Sequence, residues 1–499
     1  MKLKSYSAIS LGVVNLQEIG ADETELRYTI DTELSHGNLK FLPEYLRRHY
    51  LLQHEKYRAF RNIQIIAENG GHSLSYRVLV PRTNQSVDVT VDANIPIGVT
   101  MKLSDPGISK SFLDQLYEDL FLIVQLFEEE IRKTTLYLAF MPGEKIVPEM
   151  EKAGLPARIF TDSMLPLFVA LMALTFVFFW IFGWYAPLIF VGVSFGLLLF
   201  SGKLIARSGN WKITKDQPEI HLLQYHFSPD EFEEFRKKHA KKIPEIRKGI
   251  HEATIVADKP IDCETAGEVF ANYGIACKPE DFSVKRVNLF QIVKKASNSF
   301  GLAMPRIVVA NTIVPNAAAA GPSPRLGTVM VTTGIMTQLE EDELLSVVGH
   351  ELSHLKAHDP IVMFSLSSAE YMLRFYVFWP YLFFFGFYSY WLYFIVAIGL
   401  IYFFGKFLES RADLDSAKMI GQPKVMAEAL RKIAFRRLFP LYKREPAFRG
   451  YRRSEWLRFD PHPPAYFRIA QLEGLKEPGK IKHTFLKSIK DALKGFLRA

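Results

Sequence analysis

An apolar tract over residues 164–202 constrains the fold of this chain more than any other feature of its sequence. The tract contains no charged residue, and it is longer than the roughly 20 apolar residues with which an α-helix crosses a bilayer. Gly183 and Pro187 favour a tight turn near its middle. The tract therefore predicts a membrane-embedded hairpin of two helices.

A second apolar tract covers residues 361–405 and predicts another hairpin. Its only charged residues are Glu370 and Arg374, which are four positions apart. They would share one face of a helix, where they can neutralise each other. Two hairpins make four spans and predict a multi-pass α-helical membrane protein. Because each hairpin returns the chain to its starting side, all soluble parts should share one compartment.

Basic residues indicate which compartment that is. Lys203, Arg207, Lys212 and Lys215 follow the first hairpin, and the positive-inside rule then predicts a cell-membrane protein with its soluble parts in the cytoplasm. The net charge of +8 is spread along the chain, which fits cytoplasmic loops better than a nucleic-acid-binding surface. We therefore expect the lipid bilayer as a partner, and we expect no nucleic-acid partner.

The two cysteines, Cys263 and Cys277, have no CxxC spacing. This spacing argues against a disulfide framework or a thiolate metal site, and we expect reduced thiols in a cytoplasmic domain.

The soluble parts predict an α+β fold, and 499 residues suffice for about three domains. Residues 1–160 combine strands of alternating polarity with a long amphipathic helix, and they predict an N-terminal soluble α+β domain of unknown role. Residues 203–284 are rich in charge and predict a helical cytoplasmic linker region.

The motif HELSH, starting at His350, carries the clearest chemistry. On a helix, His350 and His354 project from one face and can meet one metal ion. Glu351 would lie close enough to reach water bound to that ion. Zinc suits this arrangement, because imidazole nitrogen and carboxylate oxygen satisfy it and a position can stay open for water. The pattern belongs to the zincin motifs.

A zinc site of this kind needs a third protein ligand, and His358, Asp359 and Glu409 are candidates. His358 could lie on the same helix face, but three ligands on successive turns of one straight helix spread too far along its axis to converge. The metzincin pattern is excluded, because Pro360 stands where its third histidine would be.

Glu409 and Asp413, in FLESRADLDSA, have the spacing of an ExxxD motif. Together with HExxH this resembles the M48 metalloprotease family, which includes the heat-shock protease HtpX and the CaaX prenyl proteases. The resemblance implies a gluzincin-type site in which Glu409 is the third ligand and Asp413 orients a ligating imidazole. The apolar tract between the two motifs must then cross the membrane an even number of times or not at all.

Two further segments resemble the same family. PNAAAAG, at residues 315–321, corresponds to the segment that lines the family's substrate groove, which implies substrate pairing at Asn316, Ala317 and Ala318. DPHPPAYFRIAQL, from residue 460, corresponds to the HPP segment. It implies that His462 and Arg468 stabilise the oxyanion or brace the ligand helix, with a turn and a structural helix as the alternative for Arg468.

These features predict a zinc-dependent endopeptidase, a hydrolase of peptide bonds with one Zn²⁺ per chain. Residues 285–360 and 406–499 would form the two parts of its catalytic domain. One hairpin before the catalytic unit and one inside it resemble HtpX more than the CaaX proteases, which implies misfolded or membrane-associated protein substrates on the cytoplasmic side. A CaaX-type processing protease and a catalytically inactive membrane scaffold remain alternatives, and the sequence does not choose an oligomeric state.

Overall fold

A computed structural model describes residues 24–32, 34, 36–52, 60–68, 71–80, 83–144, 165–442 and 454–498. By the density of contacts, the chain divides into two compact units, residues 1–146 with 221–286 and residues 147–220 with 287–499. Both units combine helices with sheets, which confirms the predicted α+β class.

The strands of the described residues form three sheets. In chain order they are β1 Glu25–Ile30, β2 Phe60–Glu68, β3 Gly71–Leu79, β4 Ser86–Asp92, β5 Ile97–Leu103, β6 Thr135–Phe140, β7 Trp211–Ile213, β8 Ile220–His226, β9 Phe282–Val287, β10 Arg306–Ala310, β11 Ala317–Ala320 and β12 Thr328–Thr332.

The α-helices of the described residues vary from one turn to the length of a membrane span. In chain order they are α1 His36–Leu39, α2 Leu42–Leu46, α3 Lys110–Lys133, α4 Leu165–Phe182, α5 Ala186–Ser208, α6 Pro229–His239, α7 Ile243–His251, α8 Cys263–Ala271, α9 Leu289–Phe300, α10 Thr333–Gln338, α11 Glu341–Lys356, α12 Asp359–Leu373, α13 Trp379–Ile420, α14 Pro423–Tyr442, α15 Ala465–Glu473 and α16 Thr484–Arg498.

The first unit contains an antiparallel sheet in the order β1-β5-β4-β3-β2. Side chains of β4 alternate between buried and half-buried, as expected of a strand with one face on the core. Buried residues of α3, among them Leu120 and Val124, belong to the same core. The long helix and the strand that the sequence predicts here are therefore present.

Residues 221–286 differ from the predicted helical linker. They contribute β8 and β9 to a three-stranded sheet with β6, and α6, α7 and α8 also lie in this stretch. The charged helix α6 is real and begins at Ser228, whose hydroxyl accepts a hydrogen bond from Glu231 N. Buried apolar side chains of β8, such as Leu223 and Tyr225, belong to a hydrophobic core of the first unit.

The expectation of reduced thiols is wrong, because Cys263 and Cys277 form a disulfide. The chain turns back after α8 and brings the two Cα atoms to 5.8 Å, within the usual range for a bridge. Disulfides are rare in the cytosol except in hyperthermophiles. The disulfide therefore does not support the predicted cytoplasmic location, which rests on the charge pattern alone.

The second unit contains a sheet in the order β11-β12-β10-β7. β10 and β12 are parallel, β11 pairs antiparallel with β12, and β7 pairs antiparallel with β10. All five residues of β12 are buried, because helices cover both faces of a strand in this position. Among the strands of the described residues, β11 lies at the edge of this sheet and has a partner strand on one side only.

The apolar tracts of the second unit form four helical segments. α4 and α5 are joined by a 3₁₀ turn at Gly183–Tyr185, and α13 has a non-helical residue at Gly386 with φ 76°. Two helical stretches, Ala173–Ser208 and Trp391–Ile420, are long and apolar enough to cross a membrane.

Aromatic contacts join α5 and α12, which come from the two apolar tracts. The rings of Phe190 and Tyr371 lie 5.4 Å apart, and those of Phe195 and Phe364 lie 5.6 Å apart. Arg374 Nε donates to Glu370 Oε1 at 2.9 Å. The predicted neutral pair is therefore formed.

Candidate metal centre

Helix α11 carries the HELSH motif and places its two histidines on one side. A capping box between Glu340 and Glu343 begins the helix, and its apolar residues Leu344, Leu345, Val348, Leu352 and Leu355 are buried. The helix ends at Lys356, and His358 follows with φ 59°, in the left-handed conformation. His358 therefore does not continue the face that carries His350 and His354.

Glu409, on α13, meets the two histidines. His350 Nε2 and His354 Nε2 are 3.2 Å apart, and they lie 3.4 Å and 3.3 Å from Oε2 and Oε1 of Glu409. Zinc bonds of about 2.0–2.1 Å in a tetrahedron would separate the ligand atoms by about 3.3–3.4 Å. The three side chains thus form a group that could hold a metal ion, and their ligand atoms are of the kinds that zinc accepts.

A buried oxygen of this cluster also fits a metal ion. Glu409 is largely buried, yet its Oε2 has no hydrogen-bond donor among the described residues. A buried carboxylate oxygen without a donor is costly. A cation held between Glu409, His350 and His354 would remove that cost.

His350 is oriented from behind by Asp413. Its Nδ1 lies 2.9 Å from Oδ1 of Asp413, whose side chain is fully buried. Arg468, on α15, donates two hydrogen bonds of 2.7 Å to this carboxylate. Such a partner on the distal nitrogen fixes the ring so that Nε2 faces the metal position. The structure thus brings Asp413 and Arg468 together behind His350.

His354 has an equivalent partner that the sequence analysis did not assign. Its Nδ1 donates to Asp359 Oδ2 at 2.7 Å, and Arg411 donates to both oxygens of Asp359 at 2.9 Å and 2.6 Å. Asp359 was considered above only as a direct ligand. An acidic residue five positions after the second histidine was the available signal, whereas nothing in the sequence marks Arg411.

The surroundings of the histidines favour positive charge. Burial lowers the pKa of His354, but the charge of Glu409 and the bond to Asp359 outweigh it and raise the pKa to about 10. Burial also opposes the charged form of His350, and the contacts to Asp413 and Glu409 again raise its pKa. Without a metal, protons therefore occupy a site that attracts cations.

Glu351 points towards the edge strand β11. Its Oε2 accepts a hydrogen bond of 2.8 Å from Ala319 N. The cluster of His350, His354 and Glu409 and the free edge of the sheet are therefore adjacent.

The register of β11 shows which of its backbone groups face outwards. Asn316 pairs with Thr332, since Thr332 N donates to Asn316 O at 3.0 Å, and Ala318 is opposite Met330. Because bonded and outward-facing residues alternate along a strand, Ala317 and Ala319 face outwards. Of the predicted substrate-binding residues, Ala317 presents its backbone to the open edge, whereas Asn316 and Ala318 bond inwards.

His462 lies on the exposed side of the cluster. Its Nε2 is 3.4 Å from Glu409 Oε2, and its Nδ1 is 2.8 Å from Asp460 Oδ1. The fully buried Lys406 donates to the carbonyl oxygens of Arg458, Asp460 and His462. Lys406 thus fixes the loop that carries His462, a role that no sequence motif indicated.

Comparison with known proteins agrees with this geometry. The profile of peptidase family M48 matches residues 284–476. A protease HtpX homolog of Pyrococcus furiosus is 33% identical over 211 residues, which are 37% of this chain and 72% of that protein. The protease HtpX homolog 2 of Methanosarcina acetivorans is 33% identical over 204 residues, 35% of this chain and 67% of that protein.

A further relative is covered less fully. A protease HtpX homolog of Methanothermobacter thermautotrophicus is 35% identical over 165 residues, 32% of this chain. The alignment spans 63% of that relative, less than two thirds of its length. Residues 284–476, which match the family profile, contain both motifs, HExxH and ExxxD, and the resemblance drawn from them is confirmed: the chain belongs to peptidase family M48.

Proposed function

We propose that this chain is an integral membrane, zinc-dependent endopeptidase. One observation carries the proposal, namely the convergence of His350, His354 and Glu409 beside Glu351 and the free edge of β11. Residues 285–360 and 406–499 supply the catalytic domain, with the hairpin 361–405 between its two parts. One Zn²⁺ per chain fits the three ligand atoms.

Bound zinc would lower the pKa of a coordinated water and polarise the substrate carbonyl. Glu351 would act as the general base: it would take the proton from a water molecule whose oxygen attacks the carbonyl carbon, and it would give that proton to the amine that leaves when the C–N bond breaks. The bond from Ala319 N holds the Glu351 carboxylate on the substrate side of the cluster.

His462 and Arg468 have different roles in this proposal. His462 is half-exposed beside Glu409, where its ring can donate a hydrogen bond to the oxyanion of the tetrahedral intermediate. Arg468 is buried and donates both of its described bonds to Asp413. Bracing of the ligand-bearing helix is the role that this pairing supports.

A substrate binds in an extended conformation along β11. The outward backbone groups of Ala317 can pair with it as a further strand of the sheet. Such pairing uses main-chain hydrogen bonds and therefore accepts many sequences. This tolerance suits an enzyme that hydrolyses misfolded or membrane-associated proteins, as the likeness to the HtpX homologs suggests.

The two hairpins cross the cell membrane four times. α4 and α5 form the first pair. In the second pair, α12 and the first residues of α13 form one arm, the chain reverses at Gly386, and the rest of α13 forms the other arm. An even number of crossings is what the contact of Glu409 with His350 and His354 requires, because the two motifs flank the second hairpin. Lys203 and Arg207 at the end of α5 favour a cytoplasmic location for the catalytic domain and the N-terminal unit.

Replacement of the general base tests the proposed chemistry. Purified Glu351→Gln protein should bind one zinc with wild-type affinity, because residue 351 is not a ligand, and hydrolysis of an unfolded test protein should fall by at least about 10³-fold. Full activity of this variant would refute the assignment. A prenylated peptide assayed in parallel distinguishes CaaX-type processing, and absence of stoichiometric zinc in the wild type would favour the inactive scaffold.

Reporter fusions test the proposed topology. Reporters placed after Ser208 and after residue 499 should both indicate the cytoplasmic side. A reporter at Tyr185, in the turn of the first hairpin, should indicate the opposite side. Opposite locations for the first two reporters would contradict an even number of crossings in the second hairpin.

A further inference from the structure

Helix α16 has two apolar faces. Its inner face buries Ser488 and Ala492 and contributes rings that contact α13. Its outer face exposes a row of leucines, Leu486, Leu493 and Leu497, with exposed fractions of 63%, 41% and 77%. The row follows helical spacing, so the three side chains share one side of α16.

Ring contacts show how α16 lies against α13. Phe485 contacts Phe404 at 6.4 Å between ring centroids, and Phe496 contacts Phe403 at 5.5 Å. Phe485 and Phe496 are separated by about 16 Å along their helix, whereas Phe403 and Phe404 are neighbours. Both ends of α16 therefore contact α13 at the level of Phe403 and Phe404.

The level of this contact coincides with the end of the apolar tract. Phe403 and Phe404 precede Gly405, the last residue before Lys406. If α13 crosses the bilayer, the rings through which α16 contacts it therefore lie at the level of the membrane surface.

A neighbouring loop extends the exposed apolar surface. The ring of Phe459 lies 6.0 Å from that of Tyr402, and the Phe459 side chain is 56% exposed. Leu457, at the end of the helical turn before this loop, is also exposed. Exposed side chains of α13, such as Leu400, continue the apolar surface into the tract.

The exposed charges of α16 are positive. Lys490, Lys494 and Arg498 are exposed on α16, and Lys482 is exposed just before it. Asp491, the acidic residue of α16, accepts from Gln471 and Lys487 on the inner side. Leucines bordered by basic side chains are typical of a helix that lies in the interface of an anionic membrane.

We propose that α16 is an in-plane membrane helix that inserts Leu486, Leu493 and Leu497 into the cytoplasmic leaflet and binds anionic lipid headgroups through its basic residues. This inference rests on the membrane embedding proposed above. It adds a second mode of membrane contact, beside the spans.

The inner face connects this helix to the metal centre. Gln471 Nε2 donates to Asp491 at 3.0 Å, and Ser410 Oγ donates to Gln471 Oε1 at 2.9 Å. Gln471 lies on α15, the helix that carries Arg468, and Ser410 follows Glu409. Insertion of α16 therefore steadies the helices that hold the metal ligands.

Spin-label depth measurements in lipid nanodiscs test the proposal without requiring activity. Nitroxides are attached at Leu486→Cys and Leu493→Cys, with Leu400→Cys as the control within the span and Lys295→Cys as the water-exposed control. Unsubstituted protein treated with the same label reports any background from Cys263 and Cys277. Nanodiscs contain either a neutral lipid or the same lipid with 30% anionic lipid.

Labels at residues 486 and 493 should be at least about threefold more accessible to oxygen, relative to a water-soluble nickel complex, than the label at residue 295. Accessibility equal to that of residue 295, with residue 400 in lipid, would overturn the proposal and leave the spans intact. The same result is expected if the leucines bind a protein partner, because the nanodiscs contain no such partner. Water exposure at residue 400 would instead refute the proposed spans.

A charge-reversal variant tests the role of the basic residues. Lys490→Glu/Lys494→Glu should abolish the deeper insertion that anionic lipid produces at residue 493. Lys241→Glu/Lys242→Glu, in the first unit, provides the matched control. An unchanged response to anionic lipid in the α16 variant would overturn headgroup binding.

Discussion

The two histidines of the candidate metal centre are each held by a carboxylate with an arginine behind it, a pair called a bracket below, and the two brackets differ in where their residues lie. His350 is backed by Asp413 and Arg468, and His354 by Asp359 and Arg411. In each bracket a carboxylate contacts the imidazole and receives two hydrogen bonds from an arginine. The comparison shows that one requirement, a fixed imidazole, can be met from different parts of a chain.

The brackets differ in how their carboxylates are stabilised. Asp413 lies inside α13, is fully buried and depends on Arg468. Asp359 is in the first turn of α12, where the positive end of the helix dipole also stabilises negative charge. The bracket of His350 should therefore be the more sensitive to loss of its arginine.

The largest difference is expected when the arginines are removed. Arg468→Met leaves the Asp413 carboxylate buried without its main partner and should lower the free energy of unfolding by about 3–5 kcal/mol. Arg411→Met should cost about 1–2 kcal/mol less, because the helix dipole remains. Denaturant unfolding of the metal-free proteins in detergent measures both values. Equal losses would show that the position of Asp359 on α12 has no energetic value.

A smaller effect is expected when the carboxylates lose their charge. Asp413→Asn should weaken zinc binding by about 10–100-fold, and Asp359→Asn should lie near the lower end of that range. Competition with a chelator of known affinity measures the change. Asp415→Asn is the matched control, since Asp415 bonds Ser353 and Arg411 but contacts neither histidine. A comparable loss in this control would contradict the role of the brackets.

Proton release separates the brackets further. The raised pKa of His354, about 10, means that its imidazole is charged at pH 7.5 in the metal-free protein. Zinc needs the neutral form, so binding should release at least one proton. Calorimetry in buffers of different ionisation enthalpy counts the protons. Asp359→Asn removes one cause of the raised pKa and should reduce this number.

The same shift predicts how the stability of the metal-free protein depends on pH. The pKa of His354 is higher in the folded than in the unfolded state, so its contribution to stability is complete below about pH 6.5. It declines as the pH rises towards 10. A stability that increases over this interval in the wild type, but not in His354→Gln, would contradict the assignment.

The smallest effect is expected at His462, the third histidine beside Glu409, which has no bracket of a buried carboxylate and an arginine. Lys406→Met removes the ammonium group that binds three carbonyl groups of the His462 loop. We expect kcat to fall by about 3–10-fold while zinc affinity stays within twofold, because the described hydrogen bonds of the Lys406 ammonium go to main-chain carbonyls and its interaction with Glu409 is electrostatic, without a hydrogen bond. His462→Gln should lower kcat similarly, and the double variant should fall no further if both changes act through the loop. Additive losses would separate the two residues.

Parts of the fold follow directly from sequence patterns. The apolar periodicity of residues 110–133 predicts α3, and alternation predicts β4, because both depend on neighbouring residues in the chain. The structure of residues 221–286 follows from the sequence pattern only in part. Their charge pattern correctly indicates α6, but the pairing of β8 with β6 and the Cys263–Cys277 bridge depend on contacts between distant segments.

For the site, the sequence by itself determined which residues are proposed for the chemistry: His350, Glu351 and His354 by their spacing on one helix, and Glu409 and Asp413 by resemblance to a family motif. Only the tertiary structure revealed Asp359 as the partner of His354, Arg411 as its brace and Lys406 as the anchor of the His462 loop. The physical reason is that spacing along a helix fixes which side chains share a face. Hydrogen bonds between separate helices depend on how those helices pack.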